Sequence, residues 1–198
     1  MITHPLTTTL YMLKNSLEAD RVSIGMIEKH IAHDRCIVDI SCPPEALLDF
    51  NPQMILPAFN SREAGIYFAD IILEYINERH PYPSFYPNDP VMRSRFRLVL
   101  KKITQEWYLV MEKLILKKGK DKILIKQIQE IFLRSNSLFE GKYFFQDKDF
   151  MIVDAALAPL FHWSQIFNIE FPENAQEIQA YSLRVLARPS VCSLYQRK

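Results

Sequence analysis

The chain has 198 residues, 48% of them hydrophobic and 24% charged, with a formal net charge of +1. That length suits one large or two small domains with a substantial core, and the composition is ordinary for a globular protein in water. Four glycines against 12 prolines argue against a glycine-rich phosphate loop and for rigid connections. No apolar run approaches the ~18 residues that a membrane span needs. Met1-Ile2-Thr3-His4-Pro5 has neither a basic start nor an apolar stretch of the secretory kind. Cys36, Cys42 and Cys192, an odd number without framework spacing, fit a reducing compartment. These features predict a cytoplasmic location. The small net charge hides an asymmetry: residues 1–80 carry a net −5 and residues 91–126 a net +8, which bears on partners more than the total does.

In chain order, the β-branched and apolar run Thr7 to Leu13 predicts a first strand. Leu17 to Lys29 carries Val22, Ile24, Met26 and Ile27 among charged residues and reads as a helix. Cys36 to Ile40 predicts a second strand. Pro43-Pro44 opens a short helical turn from Glu45 to Phe50, proline being tolerated in a first helical turn. Leu56 to Phe59 and Gly65 to Tyr67 read as two strands joined by the polar turn Asn60-Ser61-Arg62-Glu63. Ala69 to Arg79 reads as a helix. The order is βαβαββα. Pro81, Pro83, Pro87 and Pro90 then punctuate the run from His80, which can be neither helix nor central strand. Residues 81–90 are therefore a stiff linker between a domain at 1–80 and another at 91–198.

Everything beyond reads as helix. Met92, Phe96, Val99, Leu100, Ile103, Trp107, Val110, Met111 and Leu114 recur at three- and four-residue steps, predicting one long amphipathic helix. Lys117-Lys118-Gly119-Lys120 ends it with the glycine and cations that a helix C-terminus favours. Further helices are predicted from Lys122 to Phe139, from Ile152 to Phe167 through Pro159, and from Glu173 to Ala187. An aromatic turn, Glu140-Gly141-Lys142-Tyr143-Phe144-Phe145, separates the first two of these.

A proline-rich linker between a thioredoxin-like half and an all-α half resembles the α+β, two-domain architecture of the glutathione S-transferases. Within it the chain is most similar to the stringent starvation protein A family, bacterial proteins that associate with RNA polymerase. The resemblance runs from about Thr9 to Ala187. It is carried by Leu48-Asp49-Phe50-Asn51-Pro52, by Ile72 to Pro83 (Ile-Leu-Glu-Tyr-Ile-Asn-Glu-Arg-His-Pro-Tyr-Pro), and by Glu106-Trp107-Tyr108. Asp154-Ala155-Ala156-Leu157-Ala158-Pro159-Leu160 and Ile169-Glu170-Phe171 add to it. Two positions depart from the pattern. Met151 stands where such chains usually have a Ser or Thr N-cap, leaving Asp149 or a shifted helix start to substitute, and Tyr82 stands where His is expected.

The resemblance also implies what is missing. In transferases an acidic or Gln residue followed by Ser, opening the helix after the fourth strand, grips the γ-glutamyl end of glutathione. Here those positions are Phe68 and Ala69, which offer no side-chain donor or acceptor. A charged amino-acid head seated there would go unpaired, a loss of roughly 2–5 kcal/mol. The turn after the first strand, Met12-Leu13-Lys14-Asn15-Ser16, should carry a hydroxyl or thiol. Ser16 is the one hydroxyl there, and a Ser before a helix is more often an N-cap than a catalyst. Leu56-Pro57 is expected to be cis, in relatives the place where backbone pairs with the cysteinyl part of the ligand. His30, His33, Cys36 and Cys42 fail the paired spacing of a zinc site, and the absence of CxxC argues against dithiol chemistry.

No catalytic, metal or cofactor residue is therefore assigned. The expected working surface is the partner-binding segment His80, Pro81, Tyr82, Pro83, Tyr86 and Pro87, where prolines hold extended backbone at little entropic cost and tyrosines present amphipathic area. A packed linker is the plainer reading of the same residues. Beside it stands a basic face of Arg93, Arg97, Lys101 and Lys102, continued by Arg95 and the lysines from Lys113 to Lys126, for which a solvated helix face is the plainer reading. No helix-turn-helix or other base-reading signature accompanies it, so sequence-specific nucleic acid binding is not expected. The resemblance implies RNA polymerase holoenzyme with its σ subunit as partner. It also implies a homodimer, or a heterodimer with a paralogue, pairing the N-domain of one subunit with the long helices of the other. The alternative function is a glutathione-dependent transferase or isomerase.

Overall fold

A computed structural model describes residues 7–146 and 148–196; the N-terminal Met1–Pro5 stretch lies outside them. The chain divides into two compact units, Met1–Pro83 and Ser84–Lys198.

The first unit has the thioredoxin-like order β1 (Thr9–Met12), α1 (Leu17–Glu28), β2 (Asp34–Ile37), α2 (Glu45–Leu48), β3 (Ala58–Asn60), β4 (Gly65–Tyr67) and α3 (Ala69–Arg79). The four strands form one sheet in the order β2-β1-β3-β4, with β1 parallel to β2 and the other two pairings antiparallel. β2 lies two residues earlier than the apolar run Cys36 to Ile40 predicts. Its pairing partner decides this: β1 is four residues long and its register sets Thr9 opposite Asp34 and Met12 opposite Ile37. Ile37 and Ile40 are consequently exposed, whereas Val38 joins Tyr11, Leu47 and Ala58 in the core on that side of the sheet. β3 begins after Pro57, not before it; the Leu56–Pro57 peptide is cis, as expected, and proline has no N–H to give to a ladder. Gly65 allows the close approach of Phe50, whose ring would lie 2.6 Å from an added Cβ.

α1 and α3 are tied by ions as well as by apolar packing. Arg21, almost wholly buried, donates to Asp70 at 2.6 Å and to Glu18 at 2.5 Å. Such a pair adds little net stability over apolar residues of the same size, but removing one partner leaves an expensive buried charge.

The second unit comprises α4 (Pro90–Lys102), a π-helical segment (Ile103–Trp107), α5 (Tyr108–Leu116), α6 (Lys122–Ser135), a 3₁₀ turn (Asn136–Phe139), α7 (Ile152–Ile166), α8 (Gln176–Leu186) and α9 (Pro189–Gln196). Sequence periodicity predicts one long helix from Met92 to Leu114, and the backbone is continuous there. However, the turn Ile103–Trp107 is widened, consistent with the four-residue steps from Ile103 to Trp107 to Met111. α9 was not predicted; it starts at Pro189, a residue preorganised for a first helical turn. α7 is buried along nearly its whole length. Pro159 within it withholds the N–H that the Ala155 carbonyl would accept, and nearby the Tyr108 hydroxyl donates to the Ala156 carbonyl at 2.5 Å.

The cap missing at Met151 is supplied from inside the helix. Asp154 Oδ2 accepts from the Met151 amide at 2.7 Å, and Oδ1 accepts from the Phe145 amide at 2.8 Å and from the Tyr181 hydroxyl. The helix starts at Ile152 as predicted, and Asp149 instead forms an isolated bridge with Gln146. Burial pushes the Asp154 carboxyl up to about 6 despite these donors, and burial together with the neighbouring Asp154 raises the Tyr181 hydroxyl well above its ordinary value. Among the described residues no helix is long and apolar enough to cross a membrane.

Candidate functional site

Strand register brings the residues of the expected ligand cleft together. Tyr11 of β1 lies opposite Ala58 of β3, and Ala58 lies opposite Tyr67 of β4. The turn after β1, the cis Leu56–Pro57 peptide and Phe68 therefore meet at one end of the sheet. Ser16 at this end is an N-cap: its backbone is extended and its Oγ accepts from the Ala19 amide at 3.2 Å. Asn15 before it has φ 63°, a value Asn tolerates better than most residues.

Phe68 occupies the N-cap position of α3 with φ 68° and makes no side-chain cap. Its ring is 51% exposed, with its centroid 5.3 Å from that of Tyr67, and Ala69 beside it is buried. The neighbouring carboxylate, Asp70, faces Arg21. The two positions that would grip a γ-glutamyl head are thus an exposed aromatic ring and a buried methyl group. Of the His and Cys residues weighed for metal, His33 Nδ1 lies 3.0 Å from the Ile31 carbonyl and Cys42 is exposed.

The proline-rich segment is divided between the two units. His80 to Pro83 close the first unit, all four exposed, with Tyr82 at 87%. His80 caps α3 through its amide, which donates to the Ile76 carbonyl at 2.9 Å. The Tyr82–Pro83 peptide is cis as well. Tyr86 and Pro87, predicted with them as partner-binding, are instead buried, as is Phe85. Phe85 anchors this stretch within the second unit, its carbonyl accepting from the Ile152 amide at 3.1 Å. These apolar rings fill core, so the exposed part of the segment is His80 to Pro83.

Sequence reasoning missed what holds that exposed part. Lys29, following α1, is 6% exposed. Its Nζ donates to Asn77 Oδ1 at 3.1 Å, to the His80 carbonyl at 2.5 Å and to the Pro83 carbonyl. Burial pulls the ammonium down to about 8. The Glu28-Lys29 dipeptide reads from sequence as an ordinary charged helix end, and no periodicity marks the lysine as turned inward.

On α4, Arg93, Arg97 and Lys101 fall at four-residue steps and share a face. Arg93 is half-buried and its Nε donates to the Pro87 carbonyl at 3.2 Å, while the Arg97 guanidinium lies 6.0 Å from the centroid of the Tyr86 ring. Part of the predicted basic face therefore serves to dock residues 86 and 87 within the second unit. Lys101 and Lys102 are exposed. Lys102 also borders a cavity of about 150 Å³ beside the π segment, walled by Ile103, Trp107, Ile131, Phe139 and Leu157, with Glu106 and Arg134 its other charged groups. Trp107 is buried, as the apolar stripe predicts.

Comparison with known proteins agrees with this architecture. Residues 98–189 match the glutathione S-transferase C-terminal domain family. The chain resembles a glutathione transferase Omega 3C from Trametes versicolor with a TM-score of 0.80 at 22% identity, over 98% of this chain and 90% of that one. A glutathione-bound theta class transferase from Xanthomonas axonopodis pv. citri gives 0.78 at 19% identity, over 98% and 97%. These likenesses establish the glutathione S-transferase-like fold. In sequence, the stringent starvation protein A homologue of Pasteurella multocida is 33% identical over 186 residues, spanning 92% of this chain and 87% of the relative. That of Histophilus somni gives the same figures. The chain belongs to the stringent starvation protein A family.

Proposed function

We propose that this protein is an RNA polymerase-associated regulator of transcription that works in the cytoplasm by docking, without glutathione chemistry. A dimer presents the His80–Pro83 segment and the exposed cations of α4 to polymerase and its σ subunit, changing promoter use under starvation or stress. The observation that carries this reading is the pair Phe68 and Ala69. The end of the sheet that would hold the amino-acid head of glutathione offers a ring and a methyl group instead, and the serine after β1 is engaged as a helix cap. Similarity to stringent starvation protein A homologues over most of the chain supports it.

The test is co-purification of core polymerase with the tagged protein. Replacing Pro81 and Pro83 together by Ala should abolish association while leaving the melting temperature nearly unchanged; undiminished binding would discard the surface assignment. A glutathione-dependent transferase or isomerase is the second reading, favoured by the glutathione S-transferase-like fold itself. Retention on immobilised glutathione, or turnover of an electrophilic aryl substrate, would replace the first reading with this one.

A further inference from the structure

We propose that Lys29 is the positioning residue of the docking segment: its buried ammonium gathers the carbonyls of His80 and Pro83 and thereby sets the shape in which Tyr82 is presented. The inference rests on the docking role given above to residues 80–83.

The argument starts from what the segment lacks. Pro81 and Pro83 have no N–H, so the stretch has few backbone donors with which to fold upon itself. Its carbonyls still require partners wherever they turn away from water. Lys29 Nζ meets two of them, at either end of the Pro81-Tyr82 pair, and is itself oriented by Asn77 Oδ1 one turn back on α3. An ammonium carries three N–H donors on one nitrogen and can serve acceptors that converge from different segments. Charge-assisted bonds of this kind are roughly twice as strong as neutral ones.

A lysine is a poor choice if filling space were the purpose. A buried cation carries a desolvation penalty that methionine, of similar length, would avoid. What the ammonium provides and a thioether cannot is a fixed distance between two carbonyls separated by two residues. Between them the Tyr82 side chain points outward at 87% exposure. Proline at 81 and 83 restricts the local dihedrals and Lys29 fixes where the ends go. The two devices together leave the tyrosine little freedom to lose on binding.

Two readouts test this, one of them independent of polymerase. In Lys29→Met, the backbone order parameter of the Tyr82 amide should fall from a rigid value of about 0.85 to below about 0.6, with the Ile72 amide in α3 unchanged. Association with core polymerase should weaken at least 10-fold, mainly through faster dissociation, and Lys29→Arg should recover part of it. Should Lys29→Met fail to fold, Lys29→Gln, whose amide reaches one carbonyl at most, should show an intermediate loss of order. Unchanged order at Tyr82 in a folded Met or Gln variant overturns the proposal. So does failure of both to fold, because the lysine would then serve the whole unit. Absence of polymerase binding by the wild type would refute the docking reading alone, since the order parameter still reports on the lysine.

Discussion

Replacing Asp154 by Ala removes the acceptor of three buried donors: the amides of Phe145 and Met151 and the hydroxyl of Tyr181. Each orphaned group costs about 1–3 kcal/mol, roughly 6 kcal/mol in all. Against this, the wild type bears a penalty for burying a carboxylate. A carboxyl raised from 3.8 to about 6 is disfavoured as an anion by about 3 kcal/mol at neutral pH. The expected net loss at pH 7.5 is therefore about 3 kcal/mol, a fall in Tm of roughly 6–12 °C for a chain of this size, read by circular dichroism. The pH dependence is the sharper test. Between pH 4 and 6 the folded protein binds more protons at this site than the unfolded chain, so wild-type stability from this group rises as pH falls through about 6 and declines as pH rises through it. At pH 5 the wild type should have gained on the order of 1 kcal/mol relative to its own value at pH 7.5, a gain that the Ala variant cannot share. The difference between the two proteins should widen accordingly. A gap that stays constant or narrows at pH 5 would refute the assignment of Asp154 as a buried acceptor held partly against its own ionisation.

Two further substitutions probe single backbone positions. Gly119 has φ 73° and an added Cβ would lie 2.4 Å from the Phe167 ring, so Gly119→Ala should cost about 2–3 kcal/mol through combined strain and overpacking; a loss below about 0.5 kcal/mol in urea unfolding would count against the close approach. Phe68 holds φ 68° with half its ring in water, so Phe68→Gly should stabilise the chain by about 0.5–1 kcal/mol, and a clear destabilisation would mean that the exposed ring carries packing energy.

The elements with strong periodicity were legible from sequence alone. α3 starts and stops where its apolar spacing and the following prolines place it, and the order of strands and helices in the first unit follows from the alternation of β-branched runs with amphipathic ones. What escaped depended on partners distant in sequence. The position of β2 is set by the length of β1, which no property of Cys36 to Ile40 encodes. The burial of Tyr86 and Pro87 goes with the neighbouring Phe85 carbonyl accepting from the Ile152 amide and with Arg93 and Arg97 turning towards them; local composition shows only prolines and aromatic residues. The cap of α7 was half visible, since an Asp three residues beyond Met151 is the acidic member of a capping box. In the candidate cleft the side chains at Phe68 and Ala69 were readable from sequence, because they concern residue type. Lys29 was not, because an inward-facing lysine is distinguishable from a solvated one only by what surrounds it.

The widened turn from Ile103 to Trp107 bears on how the chain tolerates changes in length. A π turn accommodates one residue more than the α-helix on either side. Removing a single residue there would convert the stretch to regular helix and leave the packing stripes of α4 and α5 in phase. The same deletion a turn earlier or later would rotate one half of the helix against the other by about 100°. The segment is thus a place where this long helix can absorb a one-residue length variant, with Phe96 and Leu100 upstream, and Met111 and Leu114 downstream, still directed into the same core.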